Sequence, residues 1–238
     1  MGKLLIKKFL YEISKENIKD RETLLYLYEN LEENYYLSDD FSLEFYILLA
    51  KTGFISTSIF IENKFYLLPE IQFEYAILDF KNLHISKKVN NLLKKDNYIF
   101  KKDNNLKDFF LNLNLYHKDN WLINQYEELI YELKKQVNLN NFEIIQFSIY
   151  NKDDELIASE IGYKIASTYT SLTGFCNKDK KYNNFGKLQM TLTAQYLENN
   201  NFSFWNLGHP YMQYKFDLGA TLYSRKEFLK RWLDCINS

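Results

Sequence analysis

The stretch from Ser203 to Ala220 constrains this chain most, because it joins an apolar strand to an abrupt stop. Phe204 and Trp205 belong to an apolar run of the kind that makes a buried strand. Gly208 permits backbone angles that are closed to other residues, and Pro210 cannot donate a hydrogen bond to a sheet ladder. The strand should therefore stop here.

The stop brings polar groups together at one strand end. They are the amide of Asn206, the imidazole of His209 and the backbone N–H groups near Gly208. In open α/β sheets, ligands bind at the carboxyl ends of strands. The pattern therefore favours a functional site, but an ordinary exit from strand to loop with a satisfied histidine fits it equally well.

Composition narrows the class of protein. The 238 residues, 46% of them hydrophobic, can build a sizeable core in one large or two small domains. The formal net charge of -1 excludes a globally basic nucleic-acid binder but not a local basic face. No apolar run approaches the roughly 20 residues of a membrane span. Cys176 and Cys235 fit no metal or disulfide framework. We therefore expect a cytoplasmic protein with no metal and no membrane partner.

Helical periodicity dominates the first part of the chain. It predicts helices over Arg21–Glu33, from Ser42 to Gly53, from Ser86 through Leu93, over Asn104–Leu113 and from Asn120 through Leu133. Alternating or apolar runs predict strands over Phe54–Ile61, Phe65–Leu68 and Tyr75–Phe80.

From residue 142 the pattern changes to strands. It predicts strands over Phe142–Tyr150, Leu156–Ile165 and Ser167–Thr173, a helix over Leu188–Glu198, and a last helix that opens with a capping box of Ser224 and Glu227. The change from helical to alternating periodicity is gradual, and it predicts two domains, residues 1–130 and residues 131–238. The predicted class is α+β, with mixed sheet and flanking helices in the C-terminal domain and a smaller α+β N-terminal domain.

This C-terminal order of elements resembles the core of GNAT acyltransferases. The coenzyme A signature of that fold is a Gln/Arg-x-x-Gly-x-Gly/Ala loop before a helix. Here the loop is Lys181–Lys187, and Gly186 is its single glycine. The missing glycines argue against a routine acetyl-CoA enzyme.

A dense group of lysines lies between residues 87 and 102. Its members are Lys87, Lys88, Lys94, Lys95, Lys101 and Lys102. Such a cluster can follow a phosphate backbone. The alternative is a solvated helix face in a lysine-rich chain.

Several segments are similar to the motifs of one known family. Asp40–Ser42 followed by Lys51–Phe54 resembles its D-L-S-x-x-x-L…R-G-I-F segment. Leu83–Ser86 with Lys87 matches its L-H-I-S-R run. Asn120–Ile123 resembles T-W-I-T before a helix.

The second half continues the series. Glu155–Ile157 with Gly162 follows the E-L-V-G-G-x-Y-G strand. Leu218–Ala220 and then Ser224–Leu229 resemble the L-G-A-x-x-I-P-R-x-x-F-L ending. In this order, over about 190 residues, the segments resemble the leucyl/phenylalanyl-tRNA–protein transferases.

The resemblance implies transfer of an amino acid of the Leu or Phe type from aminoacyl-tRNA to the N-terminal α-amine of an acceptor protein. Aminoacyl-tRNA is then the donor substrate, and no cofactor is expected. The lysines that follow the family's basic helix, Lys87, Lys88, Lys94 and Lys95, would face tRNA phosphates. Trp121 could stack on the terminal adenosine, although a core aromatic at a helix start is an equal alternative.

The chain also departs from the family pattern. The glutamate of the family's F-x-G-E-S-M-F strand falls on Leu172. The D-C-Q strand end falls on Asn206–Gly208 or, shifted by one, on Leu207–His209, and neither register keeps the aspartate or the glutamine. The chain therefore resembles a divergent branch of the family, to which the catalytic residues do not carry over.

The candidate site follows from the strand ends. We expect Asn206 and backbone N–H groups near Gly208 to orient the ester carbonyl, and His209 to take or relay the proton. The remaining substrate-binding candidates are Ser171 and Thr173 for the acceptor backbone, Tyr169, Leu172 and Phe175 for an apolar pocket around the transferred side chain, and Trp205.

Two other functions stay open on the sequence alone. One is a coenzyme A-dependent GNAT N-acyltransferase, against which the missing glycine loop counts. The other is a tRNA-binding homologue that has lost catalysis, consistent with the missing family carboxylates and glutamine.

Overall fold

The computed structural model describes residues 10–136, 139 and 141–237. The helices in this part of the chain are α1 (Lys15–Lys19), α2 (Arg21–Glu29), α3 (Leu43–Lys51), α4 (Lys87–Lys95), α5 (Leu106–Tyr116), α6 (Gln125–Lys135), α7 (Phe185–Asn199), α8 (Gln213–Asp217) and α9 (Arg225–Ile236). The strands are β1 (Tyr11–Glu12), β2 (Tyr36–Leu37), β3 (Ile55–Ile61), β4 (Lys64–Glu70), β5 (Glu74–Leu78), β6 (Ile99–Asp103), β7 (Phe142–Tyr150), β8 (Leu156–Ile165), β9 (Thr168–Cys176), β10 (Phe204–Asn206) and β11 (Thr221–Ser224).

Seven strands form one mixed sheet in the order β11-β5-β10-β9-β8-β7-β6. β10 runs parallel to β9, and every other neighbouring pair in this sheet is antiparallel. The predicted α+β class, with a mixed sheet flanked by helices, is therefore confirmed. Because β5 and β6 come from before residue 130, the sheet draws on both sides of the expected domain boundary. The division at residue 130 and the likeness to GNAT folds stay predictions.

Side chains along the strands alternate between two covered faces. On β7, Phe142 and Ile144 pack into the cluster that contains Leu129 and Leu133 of α6. Phe147 points the other way and packs into a cluster with residues of α7. We call these the α6 face and the α7 face. Because both faces are covered, β7 and β8 are buried almost throughout.

The predicted helix starts are largely confirmed. Ser42 and Ser86 cap α3 and α4 by accepting a backbone N–H, and Ser224 with Glu227 forms the capping box of α9. The predicted start of a helix at Asn120 is wrong. The Asn120 side chain instead accepts the N–H of Leu122 in a turn, and α6 begins one turn later.

The sequence patterns miss two strands of the sheet, β6 and β11, which lie at its two edges. β6 pairs with β7 at the sheet edge, and its lysines at 101 and 102 are exposed. An edge strand rich in lysine shows little of the apolar alternation by which strands are recognised.

A buried arginine ties distant segments of the chain together. The side chain of Arg225, at the start of α9, is 2% exposed. Its guanidinium donates to the backbone carbonyl oxygens of Leu27, Asn30, Glu33, Ile71 and Gln72. The planar, five-donor fork of arginine suits such a set of acceptors. The contact therefore fixes α2 and the turn between β4 and β5 against α9.

Replacing Arg225 by Met should lower the free energy of unfolding by at least about 3 kcal/mol, because several buried carbonyl groups would lose their donor. Urea denaturation measures the loss. Lys226→Met, the same change at the exposed neighbouring position, is the control and should stay within about 0.5 kcal/mol of the parent. Equal stability of the two variants would contradict the structural role of Arg225.

Candidate active site

The site is built where β10 parts from β9. The two strands pair in parallel from Phe204 with Thr168 to Asn206 with Thr170, and β9 then continues alone on that side to Cys176. The chain after β10 stays with β5 instead, since the N–H of Leu207 donates to the carbonyl of Ala76 at 2.9 Å. The two strands therefore part here, and we call this place the strand-end site.

His209 lies at the strand-end site on the side of Glu70, the last residue of β4. Nε2 of His209 is 2.7 Å from Oε2 of Glu70. The His209 side chain is 31% exposed and the Glu70 side chain 2%. The ring of His209 also stacks on that of Tyr211, with 4.9 Å between centroids. His209 is thus turned toward solvent rather than into the core, with one ring nitrogen held by a buried carboxylate.

Other polar side chains hold Glu70 in place. Asn34 donates to its Oε1 at 2.6 Å, and Gln72 donates to its Oε2 at 3.4 Å. The hydroxyl of Tyr35 is 3.4 Å from Nε2 of His209. Burial, helped by the charge of Glu70, raises the pKa of Tyr35, so the hydroxyl stays protonated. A buried carboxylate with this many partners is a fixed acceptor.

Asn206 uses its side-chain oxygen within its own turn. Its Oδ1 accepts the N–H of Gly208 at 2.9 Å, and the residue is 1% exposed. The N–H of Leu207 is taken by Ala76. Two of the N–H groups that we expected to hold the ester carbonyl are therefore already engaged, which corrects that part of the prediction. Gly208 has φ +71°, so the turn uses its glycine as expected.

A second carboxylate lies on the α7 face. Glu160 of β8 is 7% exposed, and its Oε1 accepts the Ser171 hydroxyl at 3.0 Å. Ser171 in turn accepts the indole N–H of Trp205 at 2.8 Å. Burial raises the pKa of Glu160 to about 7, and the hydrogen bond from Ser171 opposes this only in part. The group therefore changes charge near neutral pH.

Lys215 of α8 connects the two sets of polar groups. Its Nζ donates to the carbonyl oxygens of Leu207 at 2.5 Å and of His209 at 2.6 Å. Burial lowers the pKa of Lys215 to about 8, while the nearby charge of Glu160 acts in the opposite direction. The position of the His209 backbone thus depends on the buried ammonium group of Lys215, which also interacts electrostatically with Glu160.

The three residues expected to line one apolar pocket do not share one. Tyr169 packs with Trp205 in the cluster of the α7 face. Phe175 and Leu172 belong to the cluster of the α6 face. The physical reason is the bulge in β9, because a strict period of two would have put Tyr169 and Phe175 on the same face. Thr173 pairs with Ile161 and Ser171 with Gly162, and a bulge between these pairs leaves Leu172 out of register.

Sequence reasoning missed Glu70, Glu160 and Lys215. Glu160 did leave a signal, since it is the lone acid within the apolar run of β8. Glu70 ends a hairpin strand directly after Pro69. No pattern in the sequence around Glu70 or around His209 links the two residues. Lys215 lies in a segment of five residues whose burial follows from tertiary contacts alone.

The residues expected to bind tRNA fall into two places. Lys87, Lys88, Lys94 and Lys95 are exposed on α4, and none of them forms an ion pair within the described ranges. Trp121 is half-buried on the α6 face, with its ring 5.4 Å from that of Tyr126. Since α4 packs on the α7 face, the structure does not bring Trp121 together with these lysines.

The part of the chain that the structure describes has neither a metal-binding cluster nor a membrane-spanning helix. Among residues 10–136, 139 and 141–237, there is no group of three or more His, Cys, Asp or Glu side chains suited to a metal ion. No helix in the same residues has the length and apolar character needed to cross a bilayer.

Comparison with known families gives one match over a large part of the chain. The family described as leucyl/phenylalanyl-tRNA protein transferase matches residues 77–233, which is more than half of the sequence. The matched region includes Glu160, Asn206, His209 and Lys215 and leaves Glu70 outside. No curated protein matches the chain.

Solved structures show more distant likenesses. L-PGS from Bacillus licheniformis is 16% identical, with 69% of this chain and 49% of that chain covered and a TM-score of 0.39. The C-terminal domain of a candidate lysylphosphatidylglycerol synthetase from Agrobacterium fabrum is 12% identical. The match covers 75% of this chain and 62% of that chain, with a TM-score of 0.44. A functionally unknown conserved protein from Staphylococcus epidermidis is 10% identical. The match covers 90% of this chain and 79% of that chain, with a TM-score of 0.42. The chain thus spans about half of the first structure and less than two thirds of the second, and no TM-score reaches 0.5.

The raised pKa of Glu160 predicts a pH dependence of stability. Between its ordinary pKa of 4.5 and about 7, the folded protein keeps a proton that the unfolded chain releases. The free energy of unfolding therefore falls through this window as pH rises. Glu160→Gln lacks this titration, so its stability relative to the parent should improve from pH 4.5 to 7, by at most about 3 kcal/mol.

Urea denaturation at a series of pH values measures this difference. Glu74→Gln, at an exposed carboxylate of β5, is the matched control and should give a difference that does not change over the same range. A flat difference for Glu160→Gln would show that the carboxyl group is not buried as described.

Proposed function

The chain belongs to the leucyl/phenylalanyl-tRNA protein transferase family, a family of transferases, and from that premise we propose that it moves an amino acid from a charged tRNA to a free amine. The observation that carries the proposal is the strand-end site itself. It holds a half-exposed histidine on a buried carboxylate, beside the place where β10 parts from β9. Family membership and this geometry support the same reaction class.

The donor and acceptor are part of the proposal. The donor carries an amino acid of the Leu or Phe type, as the family resemblance implies. The acceptor is the N-terminal α-amine of a protein. Leu172 and Asn206 stand where family members have carboxylates, which weakens the attraction for an acceptor with a basic first residue.

The reaction is aminolysis of an ester. The amine nitrogen attacks the ester carbonyl, a C–N bond forms, and the C–O bond to the terminal ribose breaks. One proton leaves the attacking amine and one is taken up by the ribose oxygen. Because an α-amine has a pKa near ~8, little base strength is needed at neutral pH. Positioning of the two substrates is then the larger part of the task, and it can supply several kcal/mol, at most roughly 7–11.

His209 moves the proton in this scheme. When the N–H at Nε2 donates to Glu70, the neutral ring carries its lone pair on Nδ1. That nitrogen takes the proton of the amine and can return it to the departing ribose oxygen. Glu70, held by Asn34 and Gln72, keeps the ring in this tautomer.

Asn206 and Lys215 act as positioning residues. Asn206 fixes the turn that carries Gly208, and Lys215 holds the carbonyl oxygens on either side of it. Ser171 and Thr173 lie on the part of β9 that β10 has left, but the bulge between them puts their side chains on opposite faces, and Ser171 already bonds Glu160 and Trp205. Thr173 therefore remains the proposed contact of the acceptor backbone. The four exposed lysines of α4 would bind tRNA phosphates, so binding should weaken as salt rises.

The test presents charged tRNA and peptides that differ in their first residue to the purified chain, and follows transfer of labelled Leu or Phe. His209→Ala should lower the rate by about 10²-fold or more, because proton transfer loses its carrier. His117→Ala is the matched control. His117 contacts the carbonyl of Gly174 and lies outside the proposed machinery, so its replacement should leave the rate near that of the parent.

Each outcome separates the candidate functions. Wild-type rates for both His209→Ala and Asn206→Ala would remove the proposed assignment. tRNA binding without any transfer would indicate a homologue that has lost catalysis. A thermal shift with acetyl-CoA and none with charged tRNA would favour the coenzyme A-dependent enzyme.

A further inference from the structure

An open cleft of about 960 Å³ lies between the hairpin of β3 and β4 and the first turn of α6. Phe60 and Phe65 line it from the hairpin, and Glu128 lines it from α6. None of these residues has a role in the transfer chemistry described above. We propose that this cleft is a docking site for a basic segment of a partner protein, and that it holds an arginine side chain of that segment between the rings and the carboxylate.

The aromatic wall of the cleft follows from the register of the hairpin. Phe60 and Phe65 are cross-strand partners, so their side chains lie on the same face of the hairpin, with 4.8 Å between ring centroids. Phe41 stacks on Phe65, with 5.5 Å between centroids and an interplanar angle of 8°. Phe65 is buried, whereas Phe60 is 53% exposed. Three rings therefore form one wall, and its outer member is open to a ligand.

The charge of the cleft is negative. Glu128 is exposed, and no ion pair reaches it within residues 10–136, 139 and 141–237. Burial raises the pKa of the neighbouring Glu127, and the charge of Glu128 raises it further. Lys64, the cation in the lining, is already paired, since its Nζ is 2.9 Å from Oδ2 of Asp39. The charge of Glu128 is therefore left for a ligand to balance.

An aromatic ring beside a carboxylate favours a guanidinium group. The face of a phenylalanine ring attracts cations, and the planar guanidinium of arginine stacks on such a face. The N–H groups at its edge can donate to a carboxylate at the same time. An acidic ligand, such as a phosphate, would instead be repelled by Glu128. The chemistry of the lining thus selects a cation, and among side chains it suits arginine best.

The size of the cleft and its remaining side chains favour a peptide over a small free cation. The volume lies near the upper end of the ~300–1,000 Å³ typical of ligand sites, and one guanidinium fills little of it. The amide side chains of Asn63, Asn124 and Gln125 also line the cleft, and they offer donors and acceptors to a peptide backbone. Asn124 makes no side-chain cap hydrogen bond to α6, so its amide can turn to a ligand.

The test compares two dye-labelled, N-acetylated peptides by fluorescence anisotropy. They are identical and uncharged except for one internal arginine, which citrulline replaces in the second peptide. Citrulline keeps the shape of arginine without its charge. The parent chain should bind the arginine peptide about fivefold more tightly, as expected for a cation–π contact together with an exposed ion pair.

Two variants locate the binding, and two matched variants serve as controls. Phe60→Ala and Glu128→Gln, both at exposed positions, should each lower the preference for arginine to about twofold, because each removes one of the two contacts. Tyr26→Ala changes an exposed aromatic residue outside the cleft, and Glu22→Gln changes an exposed acid in the first turn of α2. Both controls should keep the preference of the parent chain.

Equal binding of the two peptides by the parent chain would overturn the inference, as would an unchanged preference in either Phe60→Ala or Glu128→Gln. Spermidine is the third probe. If it binds as tightly as the arginine peptide and responds to the same two variants, the cleft takes a free polyamine and the docking proposal fails. Because the peptides lack an α-amine and no tRNA is present, the result does not depend on whether the chain transfers amino acids.

Discussion

The hydrogen bonds of the Arg225 guanidinium decide where the strand-end site can form. They join α2, α9 and the turn after β4, which carries Gln72 and directly follows Glu70, the last residue of β4. Glu70 holds His209, so the geometry of the strand-end site depends on an arginine that itself never reaches it. A buried guanidinium is costly unless nearly every N–H finds an acceptor. Five backbone carbonyl groups meet that requirement here, and the order of the site follows from it.

The period of two along a strand explains how the polar groups at this site are divided. Glu160 and Trp205 face α7, whereas Asn206 and the segment with His209 lie toward Glu70. Neither set could act on a common substrate through a continuous sheet. β10 parts from β9 between the two sets, and Lys215 bonds there to the backbone on either side of Gly208. The parting lies within the region that matches the transferase family.

Local features of the fold could be predicted from the sequence, and nonlocal ones could not. Ser42, Ser86 and Ser224 mark helix starts because a cap involves residues only a few positions apart. The end of β10 at Asn206 could be predicted because Gly208 and Pro210 change the backbone itself. The pairing of His209 with Glu70 depends on a hairpin far away in the chain, so no local pattern could reveal it. The expected pocket of Tyr169, Leu172 and Phe175 failed for a different reason, because the bulge at Leu172 moves Phe175 to the face opposite Tyr169, and nothing in the sequence marks that bulge.

Trp205 gives the protein an optical reporter of its own. The sequence has three tryptophans, and the indole of Trp205 is fully buried and bonded to Ser171, which in turn donates to Glu160. Ionisation of Glu160 or displacement of Ser171 by a substrate would change the electric field at that indole. Its fluorescence can therefore follow events at the sheet without any attached dye, against a background from Trp232 in the core and Trp121 near the opposite surface.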